Sequence, residues 1–74
     1  MSAKEGVIFA TSSYLSSAEY DAEERLLTIT FHSGAVYGYQ GVSWEVWRGL
    51  TSAPSAGQYF HRHIKGRYGH EDIR

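Results

Sequence analysis

Leu27, Ile29 and Phe31 alternate with Thr28 and Thr30 in the middle of the chain. A run of that period settles as a strand with one face buried and the other open, so it demands both a neighbouring strand and a covering layer. The next residues supply the neighbour. His32-Ser33-Gly34 is a short polar connection with glycine where a positive φ is needed, and Ala35-Val36-Tyr37-Gly38-Tyr39-Gln40 returns as a second strand. Upstream, residues 12–21 carry a weaker apolar pattern in Tyr14, Leu15, Ala18 and Tyr20, and Asp21-Ala22-Glu23-Glu24-Arg25 reads as a solvated turn. An antiparallel meander of three strands follows from these spacings.

Gly41 ends the strand pattern. Ser43 can cap a helix with Glu45 in its positive first turn, and Val46, Trp47 and Leu50 recur at helical spacing. Ala53-Pro54 stops that helix, because the residue before proline is pushed out of the α region. Ser55-Ala56-Gly57-Gln58 fits a capping box and opens a second helix with Ala56, Phe60 and Ile64 as its apolar seam. Gly66 ends it, and residues 67–74 read as a polar tail anchored by Tyr68. At the other end, residues 1–6 read as a frayed tail, and Val7–Ala10 as either a short edge strand or an oligomer contact. The expected fold is α+β: a three-stranded antiparallel meander followed by two short helices packed on one face of the sheet. The expected organisation is a tail or short strand over residues 1–11, one domain over 12–68 and a C-terminal tail over 69–74.

A chain of 74 residues has room for one small domain, and such a domain buries only about 60% of the surface its unfolded chain exposes. It contains no cysteine, which removes disulfides, thiolate nucleophiles and Cys-based zinc sites together. Self-association is then the simplest supplement to the core, and a homo-oligomer is expected. Two Trp, six Tyr and three Phe are the other supplement, and the same residue types serve recognition surfaces. No apolar run approaches the roughly 20 residues of a membrane-spanning helix, and Val7–Ala10 is too short for a signal-peptide core. A cytoplasmic protein without membrane attachment is expected.

Four histidines, His32, His61, His63 and His70, raise the question of a metal. His61 and His63 stand two residues apart on a helix and point to opposite sides, whereas two ligands of one ion need a spacing of three or four. No metal site and no cofactor are expected. Glu23-Glu24 and Glu71-Asp72 are neighbouring carboxylates of solvated turns, and no serine sits in a nucleophile elbow. Phosphate-loop and dinucleotide fingerprints are absent from the sequence, and the chain is expected to be non-enzymatic. Charge says more. Residues 1–40 hold two basic and five acidic residues, a balance of -3, while residues 41–74 hold five basic and three acidic, a balance of +2. His61-Arg62-His63-Ile64-Lys65-Gly66-Arg67-Tyr68 is a compact basic and aromatic stretch suited to phosphate and to a stacked base. A sequence pI near 6.4 is too low for a protein that coats duplex DNA, so strong duplex binding is not expected.

Taken in order, Ser12-Ser13-Tyr14-Leu15, Tyr20-Asp21, Leu27-Thr28-Ile29-Thr30-Phe31, Ser33-Gly34-Ala35-Val36-Tyr37-Gly38-Tyr39 and Gly41-Val42 resemble the KTSC domain family, named from the C-terminal domain of some lysyl-tRNA synthetases. Ala53, Ser55, Gly57, Tyr59-Phe60 and Ile64 are similar to that family's A-x-S-x-G-x-[YF]-F segment and the isoleucine after it. Trp44 stands where relatives usually carry proline, and His61 where they usually carry asparagine. The resemblance implies a stand-alone form of a domain also found in bacterial and phage proteins, for which an RNA-binding role has been suggested. The expected function is a binding module for RNA or another phosphate-bearing nucleotide. Arg62, Lys65 and Arg67 are the candidates for phosphate, His61 is a further donor to an anion, and Tyr37, Tyr39, Trp44 and Tyr68 are the candidates for stacking. Two other readings stay open: an oligomer that sequesters a small signalling nucleotide, and a protein-interaction module built on Trp44, Trp47 and the apolar N-terminal segment.

Overall fold

The computed structural model describes residues 4–73. The alternation around Ile29 forms the centre of the sheet. Strand β3 (Leu26–Phe31) buries Leu27, Ile29 and Phe31 and leaves Leu26, Thr28 and Thr30 half-buried on the other face. It pairs antiparallel with β2 (Leu15–Asp21) on one side and β4 (Val36–Tyr39) on the other, with Ala18 and Tyr37 both opposite Ile29. The β2–β3 turn is held by Asp21, whose Oδ1 accepts the amide hydrogens of Glu23 at 3.0 Å and Glu24 at 3.3 Å. In the β3–β4 turn Gly34 takes φ 97°, a conformation that costs a side-chain-bearing residue about 1 kcal/mol or more.

The sheet has five strands, in the order β1-β2-β3-β4-β5, rather than the three expected. Strand β1 (Lys4–Ile8) adds to the outside of β2, and β5 (His70–Asp72) to the outside of β4. The expected N-terminal tail therefore begins its strand at Lys4; the part of that tail over residues 1–3 lies outside the described residues. The expected C-terminal tail holds a strand. Neither segment has an apolar period, because both are edges whose side chains stay largely exposed. Backbone hydrogen bonds hold them instead: the Phe9 amide donates to the Ser16 carbonyl (3.0 Å), and the Ile73 amide to the Val36 carbonyl (2.7 Å). The weak pattern of β2 also has a cause. A register shift between Leu15 and Ser17 bulges the strand, so the core residues Leu15 and Ala18 are spaced by three.

Both helices form where the capping serines place them. In α1 (Trp44–Ser52) the Ser43 Oγ accepts the Val46 amide hydrogen, and in α2 (Ala56–His63) the Ser55 Oγ accepts that of Gln58, each at 3.3 Å. They cover one face of the sheet. Trp47, Leu50, Ala56, Phe60 and Ile64 meet Leu15, Ala18, Tyr20, Leu27, Ile29, Phe31 and Tyr39 in a single core. Trp47 stacks on Tyr20 with ring centroids 5.5 Å apart, and its indole N–H donates to Glu5 Oε1 (3.1 Å), which ties β1 to α1. The Tyr20 hydroxyl donates to the Val42 carbonyl (2.6 Å), which ties β2 to the segment leading into α1. No helix is long and apolar enough to cross a membrane among the described residues.

Candidate functional site

The face on which the β4 tyrosines stand is decided by the register. Tyr37 and Tyr39 lie opposite Ile29 and Leu27, so both point toward the helix layer, and Val36 points to the open face. Tyr39 is buried and Tyr37 half-buried. At the edge of that layer they meet residues from five other parts of the chain. Tyr14 arrives from the segment before β2, where Ser12 Oγ accepts the amide hydrogens of Tyr14 (3.2 Å) and Leu15 (3.0 Å) and fixes the approach. Phe31 comes from β3, Phe60 from α2, and His70 from β5. Lys65 and Gly66 follow α2, where Gly66 at φ 77° turns the chain back toward the sheet.

These eight residues line a notch with a cavity volume of about 290 Å³. Its floor is a herringbone of rings: Phe31–Phe60 at 5.5 Å, Tyr39–Phe60 at 5.7 Å and Tyr14–Phe31 at 5.1 Å between centroids, all steeply inclined. His70 leans over Tyr37 and Tyr39 at 5.1 and 5.4 Å, and His61 stacks on Tyr14 at 5.1 Å with only 15° between the planes. Burial, with smaller contributions from the nearby Tyr14 and Tyr37 hydroxyls, pushes the Tyr39 phenol up to about 12. At neutral pH it is a hydrogen-bond donor beneath the rim on which Lys65 supplies a positive charge. The notch can therefore take a flat ring against tyrosine faces, donate to polar groups on its edge and neutralise a phosphate.

That shift has a consequence for the whole domain. Burial raises Tyr20 and Tyr59 as well as Tyr39, so all three keep their protons in the folded state at a pH where the unfolded chain, near 10, has begun to lose them. Stability from this source is complete below about pH 10 and is lost as pH rises through the raised folded-state values, for Tyr39 toward about 12. Thermal melts across that window are expected to show a falling midpoint, and Tyr39→Phe is expected to flatten the fall. An unchanged slope in that variant would remove Tyr39 as a cause.

Of the eight residues singled out in the sequence, Tyr37, Tyr39 and Lys65 line the notch and His61 stands at its rim. Arg62 points to a neighbouring groove, and Arg67 folds back so that its Nε donates to the Arg62 carbonyl (3.1 Å). Tyr68 is half-buried and packs against the core beside Tyr59. Trp44 is remote from the notch. It is 41% exposed at the start of α1, 6.2 Å from Tyr20 and with the Arg48 guanidinium 5.7 Å over its ring. It occupies the first helical position, where proline is favoured because the N–H there goes unused, so its exchange for proline leaves the helix start intact. Tyr14 and His70 line the notch but are not among those eight. Tyr14 carries a sequence signal in the Ser12 turn beside it; His70 carries none.

Among the described residues, no group of three or more His, Asp or Glu is placed to hold a metal. A larger concavity than the notch, about 710 Å³, lies on the open face of the sheet among Ile8, Ser17, Glu19, Thr28, Thr30 and Val36. Size is a poor guide here. It is a shallow sheet face without an aromatic ring, and its one charged lining side chain, Glu19, has the wrong sign for phosphate.

The KTSC domain profile matches residues 11–68, which carry the meander, both helices and the notch apart from His70. The chain belongs to the KTSC domain family. A crystal structure of a KTSC domain protein from Yersinia pestis superposes with a TM-score of 0.90 at 32% identity, covering 97% of this chain and all of that one. A lysine–tRNA ligase of Trichormus variabilis is 41% identical over 61 residues, and an uncharacterised protein of Stutzerimonas stutzeri is 40% identical over 57. The KTSC chain described here spans only 11% of that ligase but 80% of the Stutzerimonas protein. The domain therefore occurs both as a small part of a long enzyme and as most of a short chain.

Proposed function

We propose that this KTSC protein is a non-enzymatic binding module whose notch takes a nucleotide unit of RNA, or another phosphate-bearing nucleotide. The observation that carries the reading is convergence. Tyr14, Tyr37, Tyr39, Lys65 and His70, spread over most of the chain, line one cavity of about 290 Å³. That volume is at the lower end of small-molecule sites, the size of one nucleotide rather than of a large cofactor. A base stacks on the exposed tyrosine and histidine rings, its polar edge meets the phenol hydroxyls, and its phosphate lies at Lys65. Relatives named as lysine–tRNA ligases carry the same domain, which sets it in proteins named for an RNA.

Titration with nucleoside monophosphates and short oligoribonucleotides, at low and at raised salt, tests the reading. Tyr14→Ala is expected to weaken binding roughly 5- to 100-fold through the lost stacking face. Lys65→Glu is expected to weaken it and to lower the salt slope by about one phosphate contact. Binding that ignores both substitutions would sink the proposal. A second reading, a protein-interaction module or self-associating protein, loses Trp47, which is fully buried in the core, and draws on exposed Trp44 and on Ile8, 82% exposed in the edge strand β1. It predicts association that barely responds to salt, so the same titration separates the two.

A further inference from the structure

The outer face of α2 carries one arrangement twice. On one flank His61 stacks on Tyr14 at 5.1 Å, and on the other His63 lies against Tyr59 at 4.4 Å, with 39° between the rings. Residues two apart on a helix are separated by about 200°, so the imidazoles stand on opposite flanks with Arg62 on the crest between them. All three side chains are exposed. Each imidazole is backed by a tyrosine that is held in place. Tyr14 is positioned by the Ser12 turn, and the Tyr59 ring is wedged against Gly49 of α1, where an added Cβ would come closer than 3 Å to it.

Each flank also opens into a cavity of similar size. The notch holds about 290 Å³, and the groove among Pro54, Ser55, Gln58, Tyr59, Arg62 and His63 about 280 Å³. The Lys and Arg side chains that line them are Lys65 at the notch and Arg62 at the groove, with no Asp or Glu in either lining, and the Arg67–Arg62 hydrogen bond draws a further cation to the crest.

We infer that the ligand is a single-stranded oligonucleotide that crosses α2. One base stacks at the Tyr14–His61 flank, its neighbour stacks at the Tyr59–His63 flank, and the phosphate joining them lies on Arg62. The inference rests on the nucleotide reading above and extends it, since a lone nucleotide in the notch leaves the second flank unused. Stacking combined with a few phosphate contacts is how single strands are held without a duplex-sized basic surface, in keeping with a pI near 6.4. A duplex does not fit, because paired bases cannot part to either side of a helix about 10 Å across.

Calorimetric titration of the full chain at fixed low salt decides the matter, with AMP, the dinucleotide ApA, and adenylate hexamers of RNA and of DNA as probes. The expected result is that ApA and at least the RNA hexamer bind about tenfold or more tightly than AMP. His63→Ala and Arg62→Ala are each expected to weaken ApA roughly 5- to 50-fold and so to erase most of its advantage over AMP, and Tyr14→Ala to weaken every probe. If ApA binds no better than AMP, or if His63→Ala leaves ApA untouched, the crossing is overturned while the notch survives as a nucleotide site. If none of the probes binds, both readings fall.

Discussion

Trp47→Ala is expected to leave the domain at the margin of folding, with its urea midpoint lowered by about 3 M or its transition lost altogether. Trp47 is fully buried, stacks on Tyr20 and donates its indole N–H to Glu5, so it joins α1 to both β1 and β2. Truncation of a buried tryptophan costs about 3–5 kcal/mol. A 74-residue domain has a total stability of only about 4–11 kcal/mol. The loss therefore consumes most of the lower half of that range, with no disulfide to hold the chain together. Trp47→Phe gives the internal comparison: it keeps a stacked ring, frees an exposed carboxylate that water can satisfy, and should cost about half as much or less. A midpoint shift below about 1 M for Trp47→Ala would mean that the core does not depend on the α1–β2 contact.

What could be read from the sequence, and what could not, follows from where each residue's information lies. Leu27, Ile29 and Phe31 announce β3 because burial on one face imposes the period on the chain itself. Ser43 and Ser55 announce the two helices because each cap is a local hydrogen bond three residues long. His70–Asp72 announces nothing, and β1 announces only its end, through the apolar Val7 and Ile8 that offer a short edge strand, since an edge strand with exposed side chains is specified by its neighbour's backbone. The site divides the same way. His61, Arg62 and Lys65 are close in sequence and stand out together as a basic run. Tyr14 and His70 enter the notch only because the sheet order brings the segment before β2 and strand β5 to the same end of α2. Trp44 shows the opposite error: an aromatic residue near the others in composition stands in another part of the fold.

The position of Phe60 makes fold and site inseparable, and its substitution is the second change expected to have a large effect. Phe60 is buried on α2 and meets Phe31, Tyr39, Tyr14 and His61 at centroid distances between 5.5 and 5.9 Å. Phe60→Ala is expected to cost about 3–5 kcal/mol, the transfer and cavity loss of a buried ring. Each ring pair adds about 0.5–1.5 kcal/mol beyond area, which places the cost toward the upper end. Phe60→Leu keeps most of the volume and should cost under about 1.5 kcal/mol before those ring pairs are counted. The pair of variants separates two roles. Urea denaturation followed by near-ultraviolet circular dichroism is expected to show Phe60→Leu folded, with the tyrosine signal altered because the floor under Tyr14 and Tyr39 is gone. Nucleotide titration of that folded variant then reads the notch alone. A Phe60→Ala protein within about 1 kcal/mol of the parent would show that the rings above it hold their places without that floor, and the notch would owe its shape to the sheet rather than to α2.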